Sequence, residues 1–218
     1  MPRRQNYRRR YKKRVYKKKS RSTMGNVASI AKTAFKTAKW VAGIINAEYK
    51  YQEASVSSQV PTWNGTLYTL CTPAQGSGAT GRNGDSIKMK ALTLRGLIDF
   101  NTSGLAEMVR LIIFIDKQNV VTTGAQMLQY TGVYMATNSP KNEGNKFDTK
   151  ILYDKCFPVS LYKPQYKFET VIKLNSHVHF AAGTSTIENG ALKMLFISQS
   201  PVNSPRFSFI SRVTFVDN

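Results

Sequence analysis

The sequence predicts an all-β domain, a two-sheet sandwich or jelly roll, behind a strongly basic leader. From about residue 50 onward, short alternating or β-branched runs are separated by Gly, Asn, Pro and Ser, which is typical of strands joined by turns. No segment in this part has sustained helical periodicity. The 218-residue chain has a net charge of +20, and half of its 32 Lys and Arg residues fall within residues 1–50 beside a single acid, Glu48. A mildly basic domain therefore follows a very basic segment.

Residues 1–23 contain twelve Lys and Arg residues and no acid, so that like-charge repulsion predicts a disordered arm. Nucleic acid is the expected partner, because each neutralised phosphate releases condensed counterions. Tyrosines between the clusters offer faces on which unpaired bases stack, which favours single strands. The predicted nucleic-acid-binding residues are Arg3, Arg4, Tyr7, Arg8, Arg9, Arg10, Tyr11, Lys12, Lys13, Arg14, Tyr16, Lys17, Lys18, Lys19 and Arg21. Residues 12–21 also look like a basic nuclear import signal.

Residues 24–49 are predicted to form an amphipathic helix with a basic face. Apolar residues recur at three- and four-residue steps. The apolar stripe comprises Val27, Ile30, Ala31, Ala34, Ala38, Val41, Ala42 and Ile45, and the basic face comprises Lys32, Lys36 and Lys39. We expect the stripe to pack on its own domain or on a neighbouring subunit. A helix lying on a membrane is the alternative, because Phe35 and Trp40 stand beside lysines.

Residues 50–218 are predicted to form the β domain. The predicted strands are 50–58, 66–71, 86–100, 109–116, 149–161, 166–174, 176–181, 191–199 and 206–216. The last strand has the clearest alternation, with one face formed by Phe207, Phe209, Ser211, Val213 and Phe215. Long loops such as 118–147 on a rigid β scaffold usually contact something.

The glycine-rich stretch at residues 76–81 resembles a dinucleotide-binding loop through Gly76, Gly78 and Gly81. That motif needs a helix to begin at the loop, so that the helix N-terminus holds the pyrophosphate. The residues that follow are typical of a strand instead. Arg82 and Asn83 also stand where a phosphate-binding P-loop needs Lys and Ser or Thr. We therefore expect a mobile glycine loop without a nucleotide.

His177 and His179 flank Val178 in a predicted strand, which places both imidazoles on one face. Nucleases of the rolling-circle type hold a divalent metal with such a pair, but they also need a tyrosine nucleophile further along the chain. All eleven tyrosines lie at or before Tyr166. We therefore expect two strand histidines on one sheet face, with Val178 turned into the core; metal binding is the alternative.

No arrangement of the remaining residues indicates catalysis. The acids Asp99, Asp116, Asp148 and Asp154 stand singly, and two histidines leave no local Ser/His or Cys/His pairing. Two cysteines, Cys71 and Cys156, cannot form a disulfide framework, so reduced thiols are expected. We therefore predict a protein that is not an enzyme and needs no metal or cofactor.

The layout resembles the capsid proteins of small circular single-stranded DNA viruses, the circovirus-like and geminivirus-like group. The similar stretches are GRNGDSIKMKALTLRG at 81–96, VRLIIFIDKQN at 109–119 and RFSFISRVTFVDN at 206–218. The resemblance implies a single eight-stranded jelly roll, with residues 3–21 turned inward onto the genome. The long helical segment at 24–49 departs from the circovirus pattern.

The resemblance further implies an icosahedral shell of sixty identical subunits that packages single-stranded DNA, found in the virion and in the host nucleus. Sixty arms would carry roughly 700 positive charges against a genome of one to a few thousand phosphates. Lys88, Lys90 and Arg95 are hypothesised to extend the inner surface. Host import receptors and a membrane contact during entry are further hypothetical partners. The alternative is a cellular nucleic-acid-binding protein, of ribosomal or chromatin type, with a basic tail.

Overall fold

A computed structural model of the chain describes residues 32–34, 48–100, 107–132, 135–145, 148–199 and 205–217. Residues 48–218 form one unit. Its strands are β1 (Lys50–Gln59), β2 (Thr66–Thr69), β3 (Ser86–Asp99), β4 (Glu107–Asp116), β5 (Thr149–Val159), β6 (Gln165–Phe180), β7 (Ile187–Asn189), β8 (Ala191–Ser198) and β9 (Arg206–Asp217). The connections hold a four-residue helix, α1 (Gly124–Met127), and a 3-10 turn at Glu143–Asn145.

The strands pair from the two ends of the domain inward, as in one long antiparallel hairpin that folds into two sheets. β1 pairs with β9, β2 with β8, β3 with β6 and β4 with β5, all antiparallel. Further pairing of β3 with β9 and of β4 with β8 gives a five-stranded sheet, β1-β9-β3-β6-β7, and a four-stranded sheet, β2-β8-β4-β5. Two sheets connected in this way form a jelly roll. The predicted fold class is confirmed, with the short β7 added to the eight principal strands.

Two strand predictions are wrong. The segments 166–174 and 176–181, predicted as separate strands, form the single strand β6. The polar Asn175 does not break the strand, because its side chain points outward to solvent. The three-residue β7, Ile187–Asn189, was not predicted, because three residues are too few to show an alternation.

The main core lies between the two sheets. The alternation predicted for β9 is confirmed, since Phe207, Phe209, Ser211, Val213 and Phe215 are all buried while Ile210 and Arg212 are exposed. The ring centroids of Phe207 and Phe196 lie 4.0 Å apart, which joins β9 of one sheet to β8 of the other. The burial of apolar side chains between two facing sheets is the dominant stabilising contribution to such a fold.

A second apolar layer lies on the outer side of the four-stranded sheet. It contains outward-facing residues of β4 and β8 packed against the connection between β4 and β5: Ile112, Phe114, Val121, Met127, Leu128, Ala136, Leu195 and Ile197. We call this side of the sheet the covered face. β4 and β8 are therefore buried on both sides, and the long loop predicted at 118–147 contacts its own domain.

The predicted arm, 1–23, lies outside the described residues, and so does most of the predicted helix at 24–49. Within that segment, residues 32–34 are helical and exposed, whereas Lys50 already begins β1. Among the described helices, none is long and apolar enough to cross a membrane.

Candidate nucleic-acid interface

The fifteen predicted nucleic-acid-binding residues of the arm, between Arg3 and Arg21, all lie outside the described residues. Their role stays a prediction. The described part of the chain instead places a second set of basic side chains, on the outer side of the five-stranded sheet. We call this side the open face, because none of the described connections forms an apolar layer over it, as Val121, Met127, Leu128 and Ala136 do over the covered face.

Strand β6 supplies one edge of the open face through strict alternation. Its outward side chains are all exposed: Lys167, Glu169, Val171, Lys173, Asn175, His177 and His179. The inward residues Phe168, Leu174, Val178 and Phe180 are buried. The alternation has the period of two that a half-buried strand requires.

Half of the open face is electrically compensated. Arg95 Nε of β3 lies 2.8 Å from Glu169 Oε1 of β6, and Arg212 Nε of β9 lies 2.8 Å from Glu53 Oε1 of β1. The guanidinium of Arg212 also stacks at 5.0 Å on the ring of Tyr51. The hypothesis that Arg95 adds free positive charge to a surface is weakened, because Glu169 neutralises that charge.

The other half of the open face carries the lysines Lys88, Lys90 and Lys173, together with the exposed His177 and His179. We call this half the basic end. Lys88 lies directly opposite His177 in the β3–β6 pairing. The two imidazole rings stack with centroids 6.5 Å apart. Among the ion pairs of the described residues, none involves the three lysines.

The carboxylates near the basic end belong to other cations. Asp217 Oδ2 lies 2.8 Å from Nζ of the buried Lys50, and Asp85 Oδ1 lies 3.2 Å from Nη1 of Arg82. Each of these two carboxylates therefore pairs with a buried cationic side chain. On β7, one exposed acid, Glu188, remains at this edge of the sheet, so that the positive charges outnumber it.

The histidine pair fits the structural prediction. Val178 is fully buried between the two exposed histidines, which confirms that both imidazoles share one sheet face. Within the described ranges, no group of three His, Cys, Asp or Glu side chains is placed to hold a metal ion.

The glycine-rich loop is closed by a backbone hydrogen bond and leads into β3. Gly76 N donates to Arg82 O at 2.8 Å, and a Cβ on Gly81 would lie 2.5 Å from the carbonyl oxygen of Gly76. β3 begins at Ser86, so no helix follows and the dinucleotide geometry is not formed. The close approach of two backbones explains why a glycine is needed at position 81.

Arg82, in the GRNGD stretch, has a structural role in this fold. Its side chain is fully buried, donates to the carbonyl oxygens of Gly84 and Thr184, and stacks 4.3 Å from the ring centre of Phe180. A guanidinium presents five donors in a planar fork, and it can therefore join several carbonyls at once. Arg82 fixes the start of β3, on which Lys88 and Lys90 stand.

The IDK stretch that ends β4 is also structural. Asp116 Oδ2 accepts from Lys193 Nζ at 2.9 Å and from Val121 N at 2.7 Å, and Lys193 donates to Val121 O at 2.6 Å. Both charged side chains are at most 5% exposed. This buried ion pair ties the β4–β5 connection to the covered face.

The two cysteines are free thiols, as expected for reduced residues. Cys71 is fully buried, and burial raises the pKa of its thiol to about 12. The half-buried Cys156 has its pKa raised, first by burial, with Asp154 adding to the effect and Arg110 opposing it. A thiol with a raised pKa is a poor nucleophile.

No protein-family model matches the chain, and no curated protein matches it either. Among solved structures, Cocksfoot mottle virus is similar over 77% of this chain and 93% of that chain, with 9% identity and a TM-score of 0.41. The Cyanophage Pam1 capsid is similar over 78% and 84%, with 13% identity and a TM-score of 0.32. Latent PorU of Porphyromonas gingivalis is similar over 78% of this chain and 13% of its own, with 7% identity and a TM-score of 0.36. Similarities this distant do not distinguish one function from another.

The open face and the arm are thus the two basic surfaces of the chain, and only the first is described. Lys173 escaped the sequence prediction, although the odd-numbered polar positions of β6 already place it beside His177. The buried role of Arg82 escaped it too, because sequence position alone does not distinguish a buried arginine from a surface one. The uncompensated charge of the basic end is suited to contact with an anionic polymer.

Proposed function

We propose that this chain is a viral coat protein that assembles into a small icosahedral shell and packages single-stranded DNA through residues 3–21. The observation that carries the proposal is the covalent joining of twelve arm charges, without one acid, to a jelly roll. A jelly roll is used by viral capsid and lectin domains and by cupins. The basic arm favours the first of these classes, because clustered Arg and Lys fit a phosphate backbone.

Exposed apolar residues of the jelly roll support assembly. At the turn between β5 and β6, Leu161 is 66% exposed and Tyr162 is 97% exposed. On the open face, Val171 and Ile210 are each more than half exposed. Aromatic and aliphatic side chains in such positions are typical of protein–protein contacts. Neighbouring copies of the chain, sixty in a shell of the simplest icosahedral type, would cover them.

Replacing the twelve Lys and Arg residues of 3–21 by Gln tests the packaging role in the full-length chain. The unaltered chain is expected to form closed particles of uniform size that hold nuclease-protected nucleic acid. The variant is expected to lose that nucleic acid, because the counterions can no longer be released from bound phosphates. Electron microscopy measures the particles, and nuclease digestion followed by extraction measures the protected nucleic acid.

The control variant replaces Tyr7, Tyr11 and Tyr16 by Leu and leaves every arm charge in place. It should package nucleic acid but lose part of its preference for single strands over duplex, since stacking contributes about 1–3 kcal/mol per base. If the unaltered chain binds nucleic acid tightly and stays monomeric at every concentration, the coat-protein proposal is wrong. That result would favour the cellular nucleic-acid-binding alternative.

The proposal places the protein in the virion and, during infection, in the host nucleus. The second location depends on residues 12–21 acting as an import signal, for which the density of basic residues is the support. A fusion of residues 1–23 to a fluorescent protein should accumulate in nuclei of cultured cells. The same fusion with Lys12, Lys13, Lys17, Lys18 and Lys19 changed to Gln should not, and equal distribution of both fusions would remove the nuclear part of the proposal.

A further inference from the structure

We infer that the basic end of the open face is a second nucleic-acid-binding surface, which receives the phosphate backbone of the same single-stranded polymer that the arm binds. The inference deepens the proposed function, on which it rests, because it names the part of the open face that would be turned toward the genome. It concerns the folded domain and is argued from its strand register, burial and charge.

The point at which the chain enters the sheet, at the start of β1, lies at the same end of the sheet as the basic end. Lys50, the first residue of β1, pairs with Phe215, which pairs with Met89, which pairs with Ser176. One row across the sheet thus connects the start of β1 to the basic end. Adjacent strands lie about 4.8 Å apart, so that β1 and β6 are separated by about 14 Å along this row.

The junction is held in place by a buried ion pair. Lys50 is 1% exposed, and its Nζ lies 2.8 Å from Asp217 at the end of β9. The next residue toward the arm, Tyr49, is 65% exposed. The ion pair therefore fixes where the chain enters the sheet, on the row that leads across to the basic end.

The spacing of the basic side chains suits a polymer of phosphates. Lys88 and Lys90 are two residues apart on β3, where the pairing is irregular between Met89 and Ala91. Lys173 and His177 are four residues apart on β6, or at most about 13 Å. Each strand of a DNA duplex carries one phosphate per about 3.4 Å of helix axis, and an extended single strand spaces them more widely. A single strand crossing the basic end would therefore bring at most about four phosphates within reach of these side chains.

The charge balance distinguishes the basic end from the remainder of the open face. Arg95 and Arg212 are matched by Glu169 and Glu53, and Val171 and Ile210 leave apolar surface between them. That half is suited to protein contact. The lysines Lys88, Lys90 and Lys173 take part in none of the ion pairs of the described residues. Like charges on neighbouring strands repel each other, and an anion lying between them relieves that repulsion.

The test compares two full-length triple variants with the same loss of charge. The first, Lys88→Gln/Lys90→Gln/Lys173→Gln, removes the lysines of the basic end. The second, Lys150→Gln/Lys155→Gln/Lys163→Gln, removes three exposed lysines of β5 and the β5–β6 turn. Binding of a fluorescent oligo-dT to protein freed of nucleic acid is measured across a series of salt concentrations.

We expect the slope of log K against log salt to fall in magnitude by about 2 in the first variant, at about 0.7 per lost contact to a single strand, and to stay unchanged in the second. Equal slopes in the two variants would overturn the inference. Electron microscopy of the same samples keeps it separate from the proposed function. Particles with equal slopes refute the second surface alone, and unequal slopes without particles refute only the shell.

Discussion

The outer faces of the two sheets belong to one jelly roll but differ in the burial of their charged residues. The covered face of the four-stranded sheet is apolar and packs against Val121, Met127, Leu128 and Ala136, and its Asp116–Lys193 ion pair is buried. The open face of the five-stranded sheet holds its ion pairs in solvent, where Arg95 and Glu169 side chains are 70% and 56% exposed. Charge on the covered face therefore stabilises the fold, whereas the lysine charge at the basic end of the open face is available for a partner.

The burial of a charge decides how much its removal costs. A buried pair loses solvation when it forms, and removing one partner leaves the other charge uncompensated in a medium of low dielectric. An exposed pair gains little from Coulomb attraction, because water and salt screen it. The same residue types thus have different consequences on the two faces, and three substitution experiments test this difference.

The largest effect is expected from Asp116→Ala on the covered face. The change leaves Lys193 buried without its carboxylate and should lower the free energy of unfolding by about 3–5 kcal/mol. Glu169→Ala on the open face, the matched control, should cost about 0–1 kcal/mol. Urea denaturation at a fixed protein concentration measures both.

The double variant Asp116→Asn/Lys193→Met separates charge from packing at this pair. It removes both charges and keeps an acceptor for Val121 N, so we expect it to recover at least half of the stability lost in Asp116→Ala. A cost below about 1 kcal/mol for the single change would show that the pair is not buried as described.

The next effect concerns apolar contacts. Leu195→Ala, on the covered face of β8, should cost about 2–5 kcal/mol, because it leaves a cavity under the β4–β5 connection. Val171→Ala, on the open face of β6, removes an exposed side chain and should cost less than about 1 kcal/mol. The same denaturation experiment compares them, and similar costs would mean that a partner covers the open face in solution.

The smallest effect is a change in the reactivity of Cys156. Arg110 donates to both carboxylate oxygens of Asp154, at 2.8 and 2.6 Å, and to Ser139 O at 2.6 Å, which holds the connection beside Cys156. Asp154→Asn weakens this anchor and also removes a negative charge that raises the pKa of the Cys156 thiol. Iodoacetamide labelling of Cys156 near neutral pH should therefore become several-fold faster.

The internal reference for this labelling experiment is Cys71. Its pKa is raised to about 12 and it is fully buried, so its labelling should stay negligible in both proteins. Glu169→Gln on the open face should leave both thiols unchanged. If Asp154→Asn accelerates the labelling of Cys71 as much as that of Cys156, the substitution opens the whole domain. The hypothesis of a local anchor is then wrong.

The strands were predictable because most of them carry a pattern of period two. Phe207 to Phe215 on β9 alternate clearly, and the bounds of β3, β4, β5, β8 and β9 lie within two residues of those predicted. The merging of two predicted segments into β6 was not predictable from Asn175, since a polar residue suits both a turn and an exposed strand position. β4 and β8 are buried on both faces. An apolar run in the sequence indicates such two-sided burial, but it does not show which residues pack against each face.

Local pattern and composition were enough to predict the fold class, the concentration of charge in residues 1–23 and the weakness of every catalytic motif. Which charged side chains lie inside the domain and which lie outside depends instead on tertiary contacts. Arg82, Asp116 and Lys193 are buried, whereas Lys88, Lys90 and Lys173 meet on the open face from two strands about 80 residues apart. Strand register brings distant residues together, and a linear pattern carries no record of which strand becomes the neighbour.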